Sequence, residues 1–275
     1  MEACQSAQSP ENKSLELSLS AQVYCHRKDK YAQLCKRVCE TLIANKGRYG
    51  RRLIRDEFAD SGTVVVVSAI TREEGLIARG SRHKKRYYSS YKAELSEHPA
   101  NKVNRDVCSA LPNFLWPTMV AQFTVFAGTV YLSLIIDYFN GTAVSHALST
   151  SPNAERANTM LKEVIATLRP FEKPLIHMDC GCHYRWPGWI DICEKTGLVR
   201  STSKKACSPD SSACEGFFGR LKNEMFYDRN WSGISIERFR DQVNEYTEWY
   251  NSKRIKRSLG SMSPLNYRRS LGLVI

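Results

Sequence analysis

The stretch PLIHMDCGCHY (residues 174–184) brings one carboxylate, two thiols and two imidazoles close together in the chain. Cys180, Cys182 and His183 are residue types that bind soft or borderline metal ions such as Zn²⁺. Asp179 offers a different chemistry, because it ends a short apolar run. An acid at the C-terminal end of a buried strand points into the crevice where α/β sheets bind ligands.

The zinc interpretation is weak on spacing. Zinc fingers and knuckles need two pairs of ligands at regular intervals, and the ten cysteines include no Cys-x-x-Cys pair. The N-terminus has no signal peptide, so the thiols are expected to be reduced. Cys35 and Cys39 lie on an apolar helix face, which favours thiols buried in a core. A cysteine-rich metal-binding protein remains a third alternative.

Glu215 is a second acid that can work with Asp179. It lies in the first turns of a predicted helix, and Lys222 follows seven residues later on the same face. Carboxylates held close together can bind Mg²⁺ or Mn²⁺, which take oxygen ligands and bind substrate phosphates. Because surface helices are rich in Glu and Lys, a solvated Glu215 and a strand-end cap at Asp179 are the alternative on spacing alone.

The net charge of +12 is unevenly distributed. Residues 1–105 carry 20 basic and 12 acidic side chains, 106–200 carry 7 and 8, and 201–275 carry 13 and 8. A near-neutral centre between basic flanks suits a nucleic acid, and mere solubility is the alternative. The basic stretch 81–92 has two equally weighted interpretations, contact with backbone phosphates and a solvated linker. The residues expected to contact DNA are Lys222, Arg82, Lys84, Lys85, Arg86, Lys204 and Lys205.

The order of predicted elements is that of an α/β protein with a mixed sheet. The uncharged run 107–136 is not expected to span a membrane, because prolines interrupt it and its second half alternates. Strands are expected at 120–126, 130–137, 142–148, 174–179 and 198–203. Helices are expected at 31–47, 49–62, 155–168, 186–197, 210–226 and 234–250.

The expected domains are a loose polar N-terminus (1–30), a helical, helix-turn-helix-like domain (31–80), a basic linker (81–110), a core (111–228) and a C-terminal helical extension (229–275).

Five stretches resemble the OrfB-type transposases of insertion sequences, which have a retroviral-integrase-like DDE core. Two of them are KGRYGRRLIRDEFADSG (46–62), which resembles the helical region before the core, and YLSLIIDYFNG (131–141), which resembles the second-strand motif. PLIHMDCGCHY resembles the family's His-Ser-Asp-Gln-Gly-x-Gln-Tyr motif through His177, Asp179, Gly181 and Tyr184. DSSACEGFFGRLKNE resembles the motif of the third acid through Asp210, Glu215, Phe217, Phe218, Leu221, Lys222 and Glu224. YNSKRIKRSLGSMSPLNY resembles the C-terminal signature through Tyr250, Asn251, Arg254, Leu259, Ser263, Pro264 and Tyr267.

The resemblance implies an RNase H-like mixed five-stranded sheet, at about 118–203, flanked by helices. It implies DNA transposition by phosphoryl transfer, with Asp179 and Glu215 as catalytic acids that bind Mg²⁺ or Mn²⁺. The implied partners are element ends and target DNA, further copies in a homo-multimer on DNA, and a helix-turn-helix protein from an upstream frame. The implied location is the cytoplasm, in association with the nucleoid when the protein is bound to DNA.

The first catalytic acid of the family has no counterpart here. The family's Trp-x-x-Asp motif aligns on Trp116, which puts Met119 at the position of the acid, and no Asp or Glu lies between Asp106 and Asp137. A thioether is a soft, neutral ligand and a poor one for Mg²⁺. The sequence therefore predicts an impaired catalyst, slower by on the order of 10³-fold or more. The alternative is a non-catalytic DNA-binding or decoy subunit in mixed multimers with an intact transposase.

Overall fold

The computed structural model describes residues 32–58, 67, 70–71, 99–103, 109–151, 153–179, 186–203, 212–227 and 229–273. Two compact units are distinguished, one within residues 1–84 and 221–230 and the other within residues 85–220 and 231–275. The N-terminus 1–30, most of the linker 81–110, and the stretches 180–185 and 204–211 lie outside the described residues. The domain boundaries expected from the sequence therefore stay predictions.

The first unit contains two short helices close to where the periodicity predicts them. Helix α1 (Ala32–Ala44) buries Cys35 and Val38, and α2 (Arg51–Glu57) buries Ile54. The chain leaves α1 at Gly47, which adopts a φ of 69° and donates its N–H to the carbonyl of Leu42 at 2.9 Å. This left-handed conformation suits glycine, since a side chain there would be strained.

The second unit is built on a five-stranded sheet. Its strands are β1 (Leu115–Val125), β2 (Gly128–Ile136), β3 (Ala143–Ser149), β4 (Leu175–Met178) and β5 (Val199–Thr202), in the order β3-β2-β1-β4-β5. The first three strands pair antiparallel, whereas β4 runs parallel to both β1 and β5. The predicted mixed five-stranded sheet is confirmed.

Strand β1 begins five residues earlier than predicted, and Pro117 lies within it. The carbonyl of Leu115 accepts from Tyr138 on the β2 side, so the backbone of Pro117, two residues later, faces the same side. The pairing of β1 with β2 starts only at Thr118. Pro117 therefore lies just before the part of β1 that pairs with β2. Proline is usually excluded from a central strand because it cannot donate a backbone hydrogen bond, but no such bond is needed at this position.

Helices cover both faces of the sheet. On one face, α3 (Ala154–Ile165) and α4 (Pro187–Thr196) pack against Trp116, Ile176 and Met178 in a shared core. On the other face, Phe239 of α6 (Ile236–Ser252) contacts Phe123 with ring centroids 5.8 Å apart. Helix α5 (Ser212–Leu221) leads into a π-helical turn, Lys222–Phe226. No helix in the described parts of the chain is both long and apolar enough to cross a membrane.

The C-terminal segment is tied to the end of β2 by a buried ion pair. Helix α7 (Pro264–Ser270) places the Nη2 atom of Arg268 2.6 Å from the Oδ2 atom of Asp137, which is fully buried. The same carboxylate accepts the backbone N–H groups of Asn113 and Phe139 at 2.8 and 3.0 Å. Asp137 therefore caps the end of β2 and also anchors α7.

Candidate active site

Met119 and Asp179 lie side by side at one end of the parallel part of the sheet. The register of β1 with β4 pairs Pro117 with His177 and Thr118 with Met178. The residues that follow directly are Met119, which is still on β1, and Asp179, which lies just past the end of β4, and both are half-buried. Since side chains alternate along a strand, both lie on the face opposite the Trp116 core. The position that the alignment gave to the missing acid is thus adjacent to the second acid.

Glu215 lies in the first turn of α5, and its carboxylate is at the solvent-exposed side of the helix. The start of this helix is held by Tyr138, whose hydroxyl lies 2.8 Å from the Oγ of Ser212 and accepts the N–H of Ala213 at 3.4 Å. Farther along, Phe217 is fully buried and stacks edge-on against Tyr250 of α6 with ring centroids 4.7 Å apart. These contacts orient the first turn. Its free N–H groups favour a carboxylate there.

Cys214 links the two acids electrostatically. Its side chain has no solvent exposure, and burial raises the pKa of the thiol well above its usual value. The negative charges of Asp179 and Glu215 raise this pKa further, so both carboxylates lie within electrostatic reach of the same sulfur atom. The end of β4 and the first turn of α5 are therefore both near Cys214. Cys214 was not among the residues predicted from the sequence, although it directly precedes Glu215 in the chain.

The local environment also acts on Glu215. Partial burial raises the pKa of its carboxyl group above the ordinary value. Withdrawal from water disfavours the negative charge of this carboxylate, and a bound cation would relieve that cost.

The donor set fits one Mg²⁺ or Mn²⁺ ion better than two. Mg²⁺ is commonly held by one or two carboxylates together with substrate phosphates, which Asp179 and Glu215 can provide. Met119 adds a sulfur atom and no charge at the place where a bridging carboxylate is needed. Within the described ranges, no group of three or more His, Cys, Asp or Glu side chains could hold a metal ion.

Two other residues of the resemblance motifs take structural positions. His177 is fully buried on β4, and its Nδ1 atom lies 3.0 Å from the Oγ of Ser201 on β5. Lys222 begins the π-helical turn, in which its carbonyl accepts the N–H of Tyr227 at 2.6 Å. The α-helical spacing that put Glu215 and Lys222 on one face therefore holds only as far as Leu221, because a π turn rotates the chain less per residue.

The remaining predicted site residues fall outside the described parts of the chain. They are Arg82, Lys84, Lys85, Arg86, Lys204 and Lys205 among the expected DNA contacts, and Cys180, Cys182 and His183 of the zinc alternative.

Comparisons with known proteins place the chain in a family. The model of the integrase core domain family matches residues 215–271, which begin at Glu215. The chain is 36% identical over 240 residues to the "Putative transposase InsK for insertion sequence element IS150" of Escherichia coli (strain K12), covering 87% of this chain and 84% of that protein. The chain belongs to the insertion-sequence transposase family. This membership, predicted from short motifs in the sequence, is confirmed.

Other similarities of this transposase-family chain differ in extent. It is 43% identical over 252 residues to the "Probable transposase for insertion sequence element IS1353" of Shigella flexneri, covering 90% of this chain. It spans only about half of that relative, 48% of its length. Among solved structures it is similar to the HTLV-2 integrase catalytic core domain in complex with magnesium, with 17% identity and a TM-score of 0.45, covering 57% of this chain and 97% of that one.

Proposed function

We propose that this chain binds insertion-sequence DNA for transposition and that its phosphoryl-transfer site is impaired because Met119 occupies the position of the first acid. The observation that supports the proposal is the pairing of Thr118 with Met178, the residues directly before Met119 and Asp179 in the chain. The alignment of Trp116 and the strand pairing point independently to the same position. The two arguments use different information, one local in sequence and one long-range in space.

The remaining acids define what the site can do. Asp179 and Glu215 would bind Mg²⁺ or Mn²⁺, which when bound supplies charge neutralisation and Lewis-acid activation at a phosphate. The chain itself contributes the two carboxylates and a fixed geometry between strand end and helix. With a thioether in place of the third carboxylate, the site has two negative charges to hold ions ~4 Å apart. We expect strand transfer slower by on the order of 10³-fold or more.

The proposed partners are polyanionic DNA and further copies of the chain. Element ends and target DNA would contact Lys222 and the two basic clusters 82–86 and 204–205 through backbone phosphates. Assembly as a homo-multimer on DNA in the cytoplasm, with a helix-turn-helix protein from an upstream frame, belongs to the same proposal.

Restoring the acid tests the proposal directly. Met119→Asp should gain Mg²⁺- or Mn²⁺-dependent nicking of DNA ends, measured on denaturing gels with the element's own terminal sequences. Its side chain is half-buried in the crevice, so the new charge can be neutralised by bound metal. Asp179→Asn or Glu215→Gln in the Met119→Asp background should abolish the gain.

Two results would contradict this interpretation. Rapid nicking by the natural protein would mean that another acid completes the site. A Met119→Asp protein that folds, binds DNA and stays inactive with metal would mean that the impairment extends beyond this residue.

A second candidate function is that of a non-catalytic DNA-binding subunit in mixed multimers with an intact transposase. Met119 favours it, because an otherwise complete core that lacks one acid can still assemble on DNA. Adding the natural protein to an active family member would lower strand transfer if mixed multimers form. The Met119→Asp variant would then be less inhibitory than the natural protein at equal concentration.

A further inference from the structure

A cavity of about 370 Å³ lies beside the first turn of α5 in the second unit. Its walls come from four places: the turn after β2, helix α5, the end of α6 and the segment that follows α6. Tyr138, Gly141, Ser212, Arg220, Tyr250 and Lys256 are among the residues that line it.

Two cations face this cavity without an acid to balance them. The Nζ atom of Lys256 donates to the carbonyl of Asn140 at 2.7 Å, and the Nη1 atom of Arg220 donates to the carbonyl of Gly216 at 2.8 Å. In the described part of the chain neither cation forms a salt bridge, and no acidic side chain lines the cavity. The bonds made by these cations go to neutral carbonyl groups, so the cavity carries net positive charge.

The ammonium group of Lys256 is held in place by a close approach to the backbone. Gly141 adopts a φ of +73°, and a Cβ atom there would collide with the Nζ of Lys256. Burial, together with the positive charges of Arg220 and Arg254, lowers the pKa of Lys256 to about 8. A cation kept against two guanidinium groups is in an unfavourable position, which an anion in the cavity would relieve.

The helix adds to the positive field, and it connects the cavity to the candidate active site. Ser212 and Ala213 belong to the first turn of α5, where the helix dipole is positive. Glu215 lies two residues farther along the same turn. The carboxylates of Asp179 and Glu215 repel anions in the absence of metal, whereas the cavity attracts them. The two sites therefore suit two different phosphates.

We propose that this cavity binds a backbone phosphate of DNA, one that neighbours the phosphate at Asp179 and Glu215, through Lys256 and Arg220. The inference rests on the proposed DNA-binding function and adds a specific site to it. DNA carries a phosphate on every nucleotide, so a strand that reaches the carboxylates presents further phosphates along α5. The partly exposed aromatic ring of Tyr138, which lines the cavity, suits the sugar and base that accompany a phosphate.

Removing the charge of Lys256 tests the site. For duplex DNA, a plot of log K against log salt has a negative slope. Lys256→Met should make this slope less steep by about 0.9, the amount expected when one phosphate is no longer neutralised. Lys162→Met is the matched control, since Lys162 is an exposed lysine of α3 on the opposite face of the sheet. Thermal melting of both variants checks the fold. Equal slopes for Lys256→Met and the natural protein would overturn the proposal.

A second variant separates charge from structure. Lys256→Arg keeps a positive charge that does not titrate near neutral pH. DNA affinity of the natural protein should fall as pH rises through about 8, by up to about tenfold per pH unit. The affinity of Lys256→Arg should stay flat. The other charged or titratable groups that face Lys256 are Arg220 from α5, Arg254 from its own segment, Tyr138 from the turn after β2 and Tyr250 from α6. Identical pH profiles would overturn the proposal.

Pyrophosphate alone distinguishes failure of this site from failure of the proposed function. It should raise the melting temperature of the natural protein and leave that of Lys256→Met unchanged. A natural protein that binds DNA but shows no such difference would retain the proposed function and lose this site. Stabilisation by pyrophosphate without any DNA binding would overturn the DNA assignment and identify a site for free phosphate.

Discussion

At the scale of single residues, the candidate site depends on which groups carry charge. Asp179 and Glu215 contribute two carboxylates, Met119 contributes none, and Cys214 stays a neutral thiol because it is buried beside two negative charges. A thiolate at Cys214 would add a soft ligand and a third negative charge. Its raised pKa excludes this at neutral pH, so Cys214 acts as a packing residue beneath the acids.

The buried thiol predicts a specific dependence of stability on pH. A group whose pKa is raised on folding contributes stability that is fully present below its unfolded pKa of about 8.5 and is lost as pH rises toward the folded value. Between pH 8.5 and 9.5 the natural protein should therefore lose about 1 kcal/mol more stability than Cys214→Ala. Urea denaturation at several pH values measures this difference. Parallel profiles for the two proteins would show that Cys214 does not stay protonated in the folded state.

At the scale of elements, the C-terminal segment is a structural part of the sheet domain. Asn251 of α6 accepts the N–H of Ala143 at 3.0 Å and donates to its carbonyl at 2.9 Å, so α6 is hydrogen-bonded to the start of β3. The ion pair of Asp137 with Arg268 fastens α7 to the end of β2. The motif recognised at 250–267 therefore includes residues that hold the sheet and the C-terminal helices together.

The ion pair gives a stability prediction with a control on the same helix. Arg268→Ala should lower the free energy of unfolding by about 3 kcal/mol, because it leaves the fully buried carboxylate of Asp137 without its cation. Arg269→Ala removes the next arginine, which is exposed and bonds only to Asn266. It should change stability by less than about 0.5 kcal/mol. Equal effects in urea denaturation would mean that the pair does not fasten α7.

At the scale of the whole molecule, the charge distribution favours DNA as the partner. The excess of positive charge is in residues 1–105 and 201–275, and the central segment that carries β1 to β4 is near neutral. Binding through the flanks would be mainly to phosphates and strongly dependent on salt. The phosphate site proposed at Lys256 would add one contact at a defined position near α5.

The contribution of the basic cluster 82–86 to DNA binding can be compared with that of four basic residues elsewhere in the chain. The four residues Arg82, Lys84, Lys85 and Arg86 are changed together to Ala. The negative slope of log K against log salt should then become less steep by up to about 0.9 for each phosphate that the variant no longer neutralises. The control changes four exposed basic residues of the near-neutral segment, Arg156, Lys162, Arg169 and Lys173, and should leave the slope unchanged. Equal slopes for the two variants would assign the cluster to a solvated linker.

The sequence by itself determined the local features of this protein. Alternation and helical periodicity predicted most strands and helices to within a few residues; the exceptions are the start of β1, where Pro117 was taken as a break, and α7, which was not predicted. The motifs around Asp179 and Glu215 identified the family, and the absence of acids between Asp106 and Asp137 predicts an impaired site, which stays a prediction. All of these depend on residues that are neighbours in the chain.

Only the tertiary structure decided which distant residues meet. The pairing of β1 with β4 puts Met119 beside Asp179, and the return of the chain after α6 brings Lys256 to Arg220. Such contacts leave no periodic signal, because they follow from the burial of whole faces of the sheet and helices. The sequence therefore specified the chemical groups, and the packing of the sheet and its helices specified which of them act together.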